Sequence, residues 1–156
     1  MENAALLNQT TAEVRKILVP VDYSECSQLA CRYAFQLASI IHAEIHLFHT
    51  FYSPAFDLVE LTSSKKERQR IKKQIYQSEK EKEEVQFKAF YESVMKAYSG
   101  DVSTIEVNHT LQPGIPTIEI IDFSEDYLPD LIVMGTKGRN KETAILGSVT
   151  EKIIHR

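Results

Sequence analysis

The sequence predicts an α/β domain in which a mostly parallel, doubly wound sheet is covered by helices on both faces. Three observations carry this. The runs Lys16-Ile-Leu-Val-Pro-Val21 and Asp130-Leu-Ile-Val-Met-Gly135 have strand length and lack polar alternation, as buried parallel strands do. Between such runs lie stretches with apolar residues at three- and four-residue steps, the mark of a helix with one buried stripe. Strand and helix signals then alternate along the chain, the order that builds βαβ units with right-handed crossovers.

Residues 1–14 are polar, lack periodicity and are expected to form a flexible tail ahead of a domain over 15–156. Strand one covers 15–21. Asp22 or Ser24 can cap the following helix, whose buried stripe is expected at Leu29, Ala30, Tyr33, Ala34, Leu37, Ala38 and Ile41. Glu44 to Thr50 is the second strand. The segment 63–98 divides in two. Ser63 to Glu84 is dominated by Lys, Arg, Glu and Gln, whereas Phe87, Phe90, Tyr91, Val94, Met95 and Tyr98 form a stripe that can pack on a sheet. This predicts one long helix, docked in its C-terminal half, solvated or mobile in its N-terminal half, and stopped by Gly100. Strand three is expected near Val102 to Leu111. Gly114-Ile-Pro116-Thr117 opens a third helix with Pro116 in its first turn, and Ile118, Ile121 and Phe123 are expected on its buried side. Asp130 to Gly135 is strand four, and a last helix starts at Gly147-Ser148 and carries Val149, Ile153 and Ile154.

A chain of 156 residues fits one domain with a substantial core. No apolar run reaches the roughly 20 residues that span a bilayer, and the N-terminus lacks a secretory pattern, so a cytoplasmic protein without a membrane partner is expected. The net charge of −4 argues against a nucleic-acid partner, which selects for a basic excess. The basic stretch Lys65–Arg70 is diluted by Glu67 and by the acidic run 79–84, and reads as a solvated helix face. Cys26 and Cys31 are spaced neither as a redox pair nor as half a zinc site, and read as buried reduced thiols. His42, His46 and His49 cluster in sequence. His46 and His49, three apart on a strand, point to opposite faces and cannot share a metal. No Ser-His-Asp arrangement, Gly-x-Ser-x-Gly elbow or Walker loop occurs, so no catalytic residue and no metal ligand is assigned. Any ATP hydrolysis is expected to be slow or absent, for want of a general base.

Ligands of an open parallel sheet bind beyond the carboxyl ends of the strands, where strand order reverses. Two strand ends here are equipped for that. Asp22 stands just past strand one, where a carboxylate can accept from ribose hydroxyls or an adenine amine. The other is Gly135-Thr-Lys-Gly138, then eight residues, then Gly147-Ser148. Glycines let the backbone approach phosphate oxygens, and Ser148 at a helix start adds a hydroxyl and N–H donors at the positive end of the helix dipole. On spacing alone, plain turn glycines and helix caps outweigh a phosphate role.

Four segments in order are more specific than any single glycine. Lys16-Ile-Leu-Val-Pro-Val-Asp22-Tyr-Ser24-Glu25, Leu47-Phe-His49-Thr50, Gly114-Ile-Pro116, and Asp130-Leu-Ile-Val-Met-Gly-Thr-Lys-Gly138 through Gly147-Ser148-Val-Thr-Glu151 together resemble the universal stress protein family. The resemblance covers 15–156 apart from the long charged helix, which is extended for the family. It implies a Rossmann-like five-stranded sheet of order 3-2-1-4-5, commonly dimeric. In the adenine-nucleotide-binding branch it implies ATP held by a Gly-x2-Gly-x9-Gly-Ser/Thr loop. Carried over by position, Pro20, Val21 and Asp22 line the adenosine site and Thr50 contributes backbone to the adenine pocket. Met134 and Gly135 flank the ribose, Gly138, Gly147 and Ser148 face the phosphates, and Val149 donates a backbone N–H. Lys137, Arg139 and Lys141 share that loop; a solvated role is preferred for them over phosphate neutralisation. The implied ligand is ATP, AMP or ADP, with any Mg2+ held through the phosphates. The implied function is a nucleotide-responsive regulatory or interaction module in stress response. The alternatives are a dimerisation domain of the same fold without nucleotide, or a very weak ATPase.

Two departures from the family pattern stand out. The spacer between Gly138 and Gly147 is eight residues where the family has nine. The sequence also stops at Arg156 inside the last helix, without the family's fifth apolar strand. The sheet is therefore expected in the order 3-2-1-4, with strand four an apolar edge, in a domain that is C-terminally incomplete or the first half of a tandem protein. Such an edge is expected to draw two copies into an antiparallel, two-fold homodimer.

Overall fold

A computed structural model describes residues 13–60, 64–138 and 146–155, with Leu58 and Glu60 described by their backbone alone. In chain order the elements are β1 (Lys16–Pro20), α1 (Glu25–Ile41), β2 (Glu44–Phe51), α2 (Ala55–Glu60), α3 (Lys65–Ala97), β3 (Val107–Pro113), α4 (Pro116–Tyr127), β4 (Leu131–Ile132) and α5 (Ser148–Ile154). The strands form one parallel sheet of order β3-β2-β1-β4, the fold and order the sequence predicts. The tail expected over 1–14 falls almost wholly outside the described residues.

Side chains of β1 alternate between two cores, which is why its run is apolar throughout. Ile17 and Val19 join Ile45 and Leu47 beneath α1 and α3, against Ala30, Cys31, Ala34, Phe35, Phe87, Phe90 and Val94. Leu18 and Phe48 face the other way and pack with Ile120, Phe123, Val149 and Ile153 from α4 and α5. Strand four is shorter than expected. Val133 still donates its N–H to the Leu18 carbonyl at 2.9 Å, but the ladder ends there and the chain leaves for Gly135. Among the described residues β4 is an edge of the sheet, with β3 at the other side.

Several faces differ from expectation. The buried stripe of α1 is Ser27, Ala30, Cys31, Ala34, Phe35 and Ala38, whereas Leu29 and Tyr33 are 59% and 60% exposed. Ala30, Ala34 and Ala38 are buried as expected, and Leu37 and Ile41 are partly buried against the same core. Small residues at 30, 34 and 38 let the helix lie close to the sheet, and Phe35 fills the remaining space, so Leu29 and Tyr33 turn outward. In α4 the same ambiguity resolves toward Ile120, with Phe123 half-buried; Ile118 is 51% exposed. In α5, Val149 and Ile153 pack inward while Ile154 is exposed.

Helix α3 is a single long helix with Phe87, Phe90 and Val94 buried, as expected. It ends at Tyr98, whose extended backbone donates to the Val94 carbonyl, and not at a glycine cap on Gly100. Its N-terminal half is not wholly solvated either. Tyr76 stacks on Phe51 at 6.2 Å, and α2, too short to show a period in the sequence, packs against α3. Strand three starts later than expected because residues 102–106 make a turn, closed by Ile105 N–H to the Val102 carbonyl at 3.0 Å, that buries Ile105.

Candidate functional site

The C-terminal ends of β1, β2 and β4 open on a cleft of about 690 Å³, within the size range of small-molecule sites. Pro20, Val21 and Asp22 line it from the end of β1, and Thr50 from the end of β2. Met134, Gly135 and Gly138 enter after β4, and Gly147, Ser148 and Val149 at the start of α5. Every residue assigned to a nucleotide site from the sequence therefore borders one space. Arg139 and Lys141 lie outside the described residues, whereas Lys137 is exposed at the cleft rim.

The glycine loop has a closed base. Gly147 N–H donates to the Thr136 carbonyl at 2.7 Å, and the Thr150 hydroxyl donates to the Gly135 carbonyl at 2.8 Å. These bonds bring the two ends of the loop together, so that a methyl group built on Gly147 would sit 3.5 Å from the Gly138 nitrogen. The first bond of α5 is Glu151 N–H to the Gly147 carbonyl at 2.9 Å, which leaves the N–H groups of Ser148 and Val149 without an acceptor inside the helix.

Asp22 is not the cap of α1. That role belongs to Ser24, whose hydroxyl oxygen accepts from Ser27 N–H at 3.1 Å. Asp22 Oδ1 accepts from Ser24 N–H at 3.1 Å, while its Oδ2 lies beside the glycine loop: a Cβ on Gly138 would be 2.9 Å from it. Tyr23, at φ 64°, turns the chain between them. Gly135 has a separate reason to be glycine, since a Cβ there would meet the Cys26 backbone and Cβ at 3.0 Å.

The sequence reading missed several wall residues. Phe48, Ile120 and Pro116 give the cleft an apolar side, and Glu151 adds a second carboxylate to that of Asp22. Phe48 was legible in principle, because it shares a strand face with Thr50 two residues on. His49 also lines the cleft and is 2% exposed. Its Nδ1 lies 2.7 Å from the Val21 carbonyl, its Nε2 3.3 Å from Glu83 Oε2, and Tyr23 stacks on its ring at 4.1 Å. His46 lies on the other face, 2.9 Å from Thr110 Oγ1 and 4.8 Å from the Phe123 ring, so the two histidines diverge as their spacing requires. Burial, helped by the nearby His109, holds His46 below the usual imidazole range. Burial also pushes the Cys31 thiol up to about 12, which makes it unreactive; Cys26 is half-buried, a milder setting than expected.

Among the described residues no group of three or more His, Cys, Asp or Glu is arranged to hold a metal ion. No helix among them is long and apolar enough to cross a membrane.

The sequence profile of the Universal stress protein family matches residues 13–156. Universal stress protein MJ0577 of Methanocaldococcus jannaschii is 29% identical over 154 residues, which cover 91% of this chain and 89% of that protein. Its solved structure superposes with a TM-score of 0.66 at 26% identity, over 92% and 90% of the two chains. Universal stress protein UspA from Lactobacillus plantarum gives a TM-score of 0.67 at 21% identity over 92% of each chain. A universal stress protein solved in complex with cAMP gives 0.58 at 17% identity, over 93% and 91%; at that identity the likeness is one of fold.

Proposed function

The chain belongs to the universal stress protein family, and from that premise we propose that its cleft binds an adenine nucleotide, so that the domain acts as a nucleotide-responsive interaction module in stress response. One observation carries this reading above the others. The Asp22 carboxylate and Gly138 of the glycine loop meet in a cleft that Phe48, Ile120 and Pro116 also line. A nucleotide asks for the same mixture: a flat weakly polar base, hydroxyls and an anion. On this reading the base lies toward Phe48, Ile120, Val21 and the Thr50 backbone. The ribose meets Asp22 between Pro20 and the Met134–Gly135 turn. The phosphates face Gly138, Gly147 and the N–H groups of Ser148 and Val149. Lys137 supplies a cation at the rim, while Asp22 and Glu151 are anionic, so any Mg2+ is assigned to the phosphates, where it offsets that charge.

Mass spectrometry of heat-denatured, purified protein tests the reading, followed by calorimetry with ATP, AMP and GTP. An adenine nucleotide released in near-stoichiometric amount, or saturable binding of ATP or AMP in preference to GTP, is expected. No adenine nucleotide bound at millimolar concentration overturns it.

The homodimer is proposed at the β4 edge, where Leu131 and Ile132 are half-buried and no described strand pairs their outer side. Light scattering at about 100 μM should give a mass clearly above that of one chain, about half of the protein being dimeric for a Kd of that order (~5.5 kcal/mol of association). A clean monomer overturns the contact.

A further inference from the structure

Helix α3 reaches the cleft through a buried polar contact, His49 with Glu83. The Val21 carbonyl can only accept a hydrogen bond, so Nδ1 of His49, 2.7 Å away, carries a proton. Nε2 faces Glu83 Oε2 at 3.3 Å, and the same oxygen accepts the Tyr23 hydroxyl at 3.2 Å. A second ring proton on Nε2 would face this carboxylate, and the contact would then be an ion pair. The ring's bond to Val21 grips the peptide group that joins Val21 to Asp22, where β1 ends; Val21 N–H is itself bonded to the Phe48 carbonyl at 2.8 Å. Tyr23, on the other side of Asp22, is held by its stacking on His49, by Glu83, and by Phe90 of α3 at 5.3 Å. Asp22 is thus flanked on both sides by groups that Glu83 positions.

We infer that His49 and Glu83 are positioning residues of the cleft, through which the docked half of α3 sets the orientation of Asp22 and with it the affinity for nucleotide; this rests on the adenine-nucleotide reading above. A buried ion pair is weak evidence for stability, because apolar side chains fill the same space without desolvating charge. Its place at the last peptide of β1, in the cleft wall, is what gives it a positioning role. Among the described residues, the other charged groups bordering that wall are Asp22, Lys137 and Glu151. A charge-assisted bond holds a peptide plane more firmly than a neutral one, and that firmness depends on Glu83 keeping the second ring proton in place.

The test uses the full chain with Glu83→Ala and Glu83→Gln. Nitrogen NMR of the unaltered protein near neutral pH should show both ring nitrogens of His49 protonated. Glu83→Ala should weaken ATP binding roughly tenfold and speed hydrogen exchange at the amides of residues 22–24 in the nucleotide-free protein. Glu83→Gln should recover part of the affinity, because its amide can donate to Nε2 of a neutral ring whose Nδ1–H still holds Val21, without the charge. A fall in melting temperature for Glu83→Ala, with ATP affinity and exchange at 22–24 unchanged, overturns the inference, as does an unprotonated Nε2 in the unaltered protein. Absence of ATP binding by the unaltered protein defeats the reading of the cleft instead. The exchange rates then decide the pair alone, faster exchange in Glu83→Ala supporting it and unchanged exchange overturning it.

Discussion

The two ends of the sheet are made by the same strands and are finished in opposite ways. At the N-terminal end the side chains satisfy one another. Asp130 accepts the backbone N–H groups of Arg15 and Lys16, both at 2.9 Å. The Lys16 ammonium donates to the Tyr127 carbonyl at 3.3 Å and lies 4.8 Å above the Tyr127 ring, and the Tyr127 hydroxyl donates to Glu44 at 2.8 Å. The titrating groups register this closure. The two backbone donors hold the Asp130 carboxyl below its usual range, and burial with the Glu44 contact pushes the Tyr127 hydroxyl up. At the C-terminal end, glycines stand where such side chains would, the start of α5 has N–H groups without helical acceptors, and a cleft opens. Strand ends whose polar groups are paired internally hold the fold; ends left open by glycine are available to a ligand.

Substitutions can break or sharpen that contrast. The largest effect is expected from Gly138→Val. The new side chain would fill the space beside Asp22 Oδ2, 2.9 Å from the Cβ position, and nucleotide binding should be lost by calorimetry. The melting temperature should change little, because the atom it meets is the movable end of a side chain. A folded variant that binds ATP as before would remove the phosphate end from this loop. Asp22→Ala comes next, weakening ATP binding by about 1–3 kcal/mol, the cost of leaving donors unpaired. If the variant melts lower but binds equally well, Asp22 serves the Ser24 turn alone.

Asp130→Asn should have the smallest effect, and at the opposite end. The folded chain holds this carboxyl below its unfolded value of about 4, so its contribution is present above that pH and fades as pH falls through the lower folded value. The melting temperatures of variant and unaltered protein should therefore differ near neutral pH and converge in acid. ATP affinity should be the same in both. A change in affinity would show that the two ends are coupled and that the contrast drawn between them is wrong.

The strands and the turn residues that follow them were legible in the sequence for a local reason. A buried parallel strand needs an unbroken apolar run, and the chain beyond it needs glycine, aspartate or serine wherever backbone must turn or remain open. Pro20 to Asp22, Met134 to Gly138 and Gly147 to Val149 carry those marks, so their gathering around one cleft follows once the strand order is known. The helix faces were not legible in the same way. A period of three and four residues says that a helix has a buried side. It does not say that Phe35, and not Leu29 or Tyr33, joins Ala30 and Ala34 on that side, nor does it choose between Ile118 and Ile120. That choice belongs to close packing, which depends on the volume left above the sheet. The approach of Asp22 to Gly138 and the bond of His49 to Glu83 were likewise decided by tertiary structure alone. Each joins segments far apart in the chain, and only the crossing of β1 beside β4, and of α3 over β2, brings them within hydrogen-bonding reach.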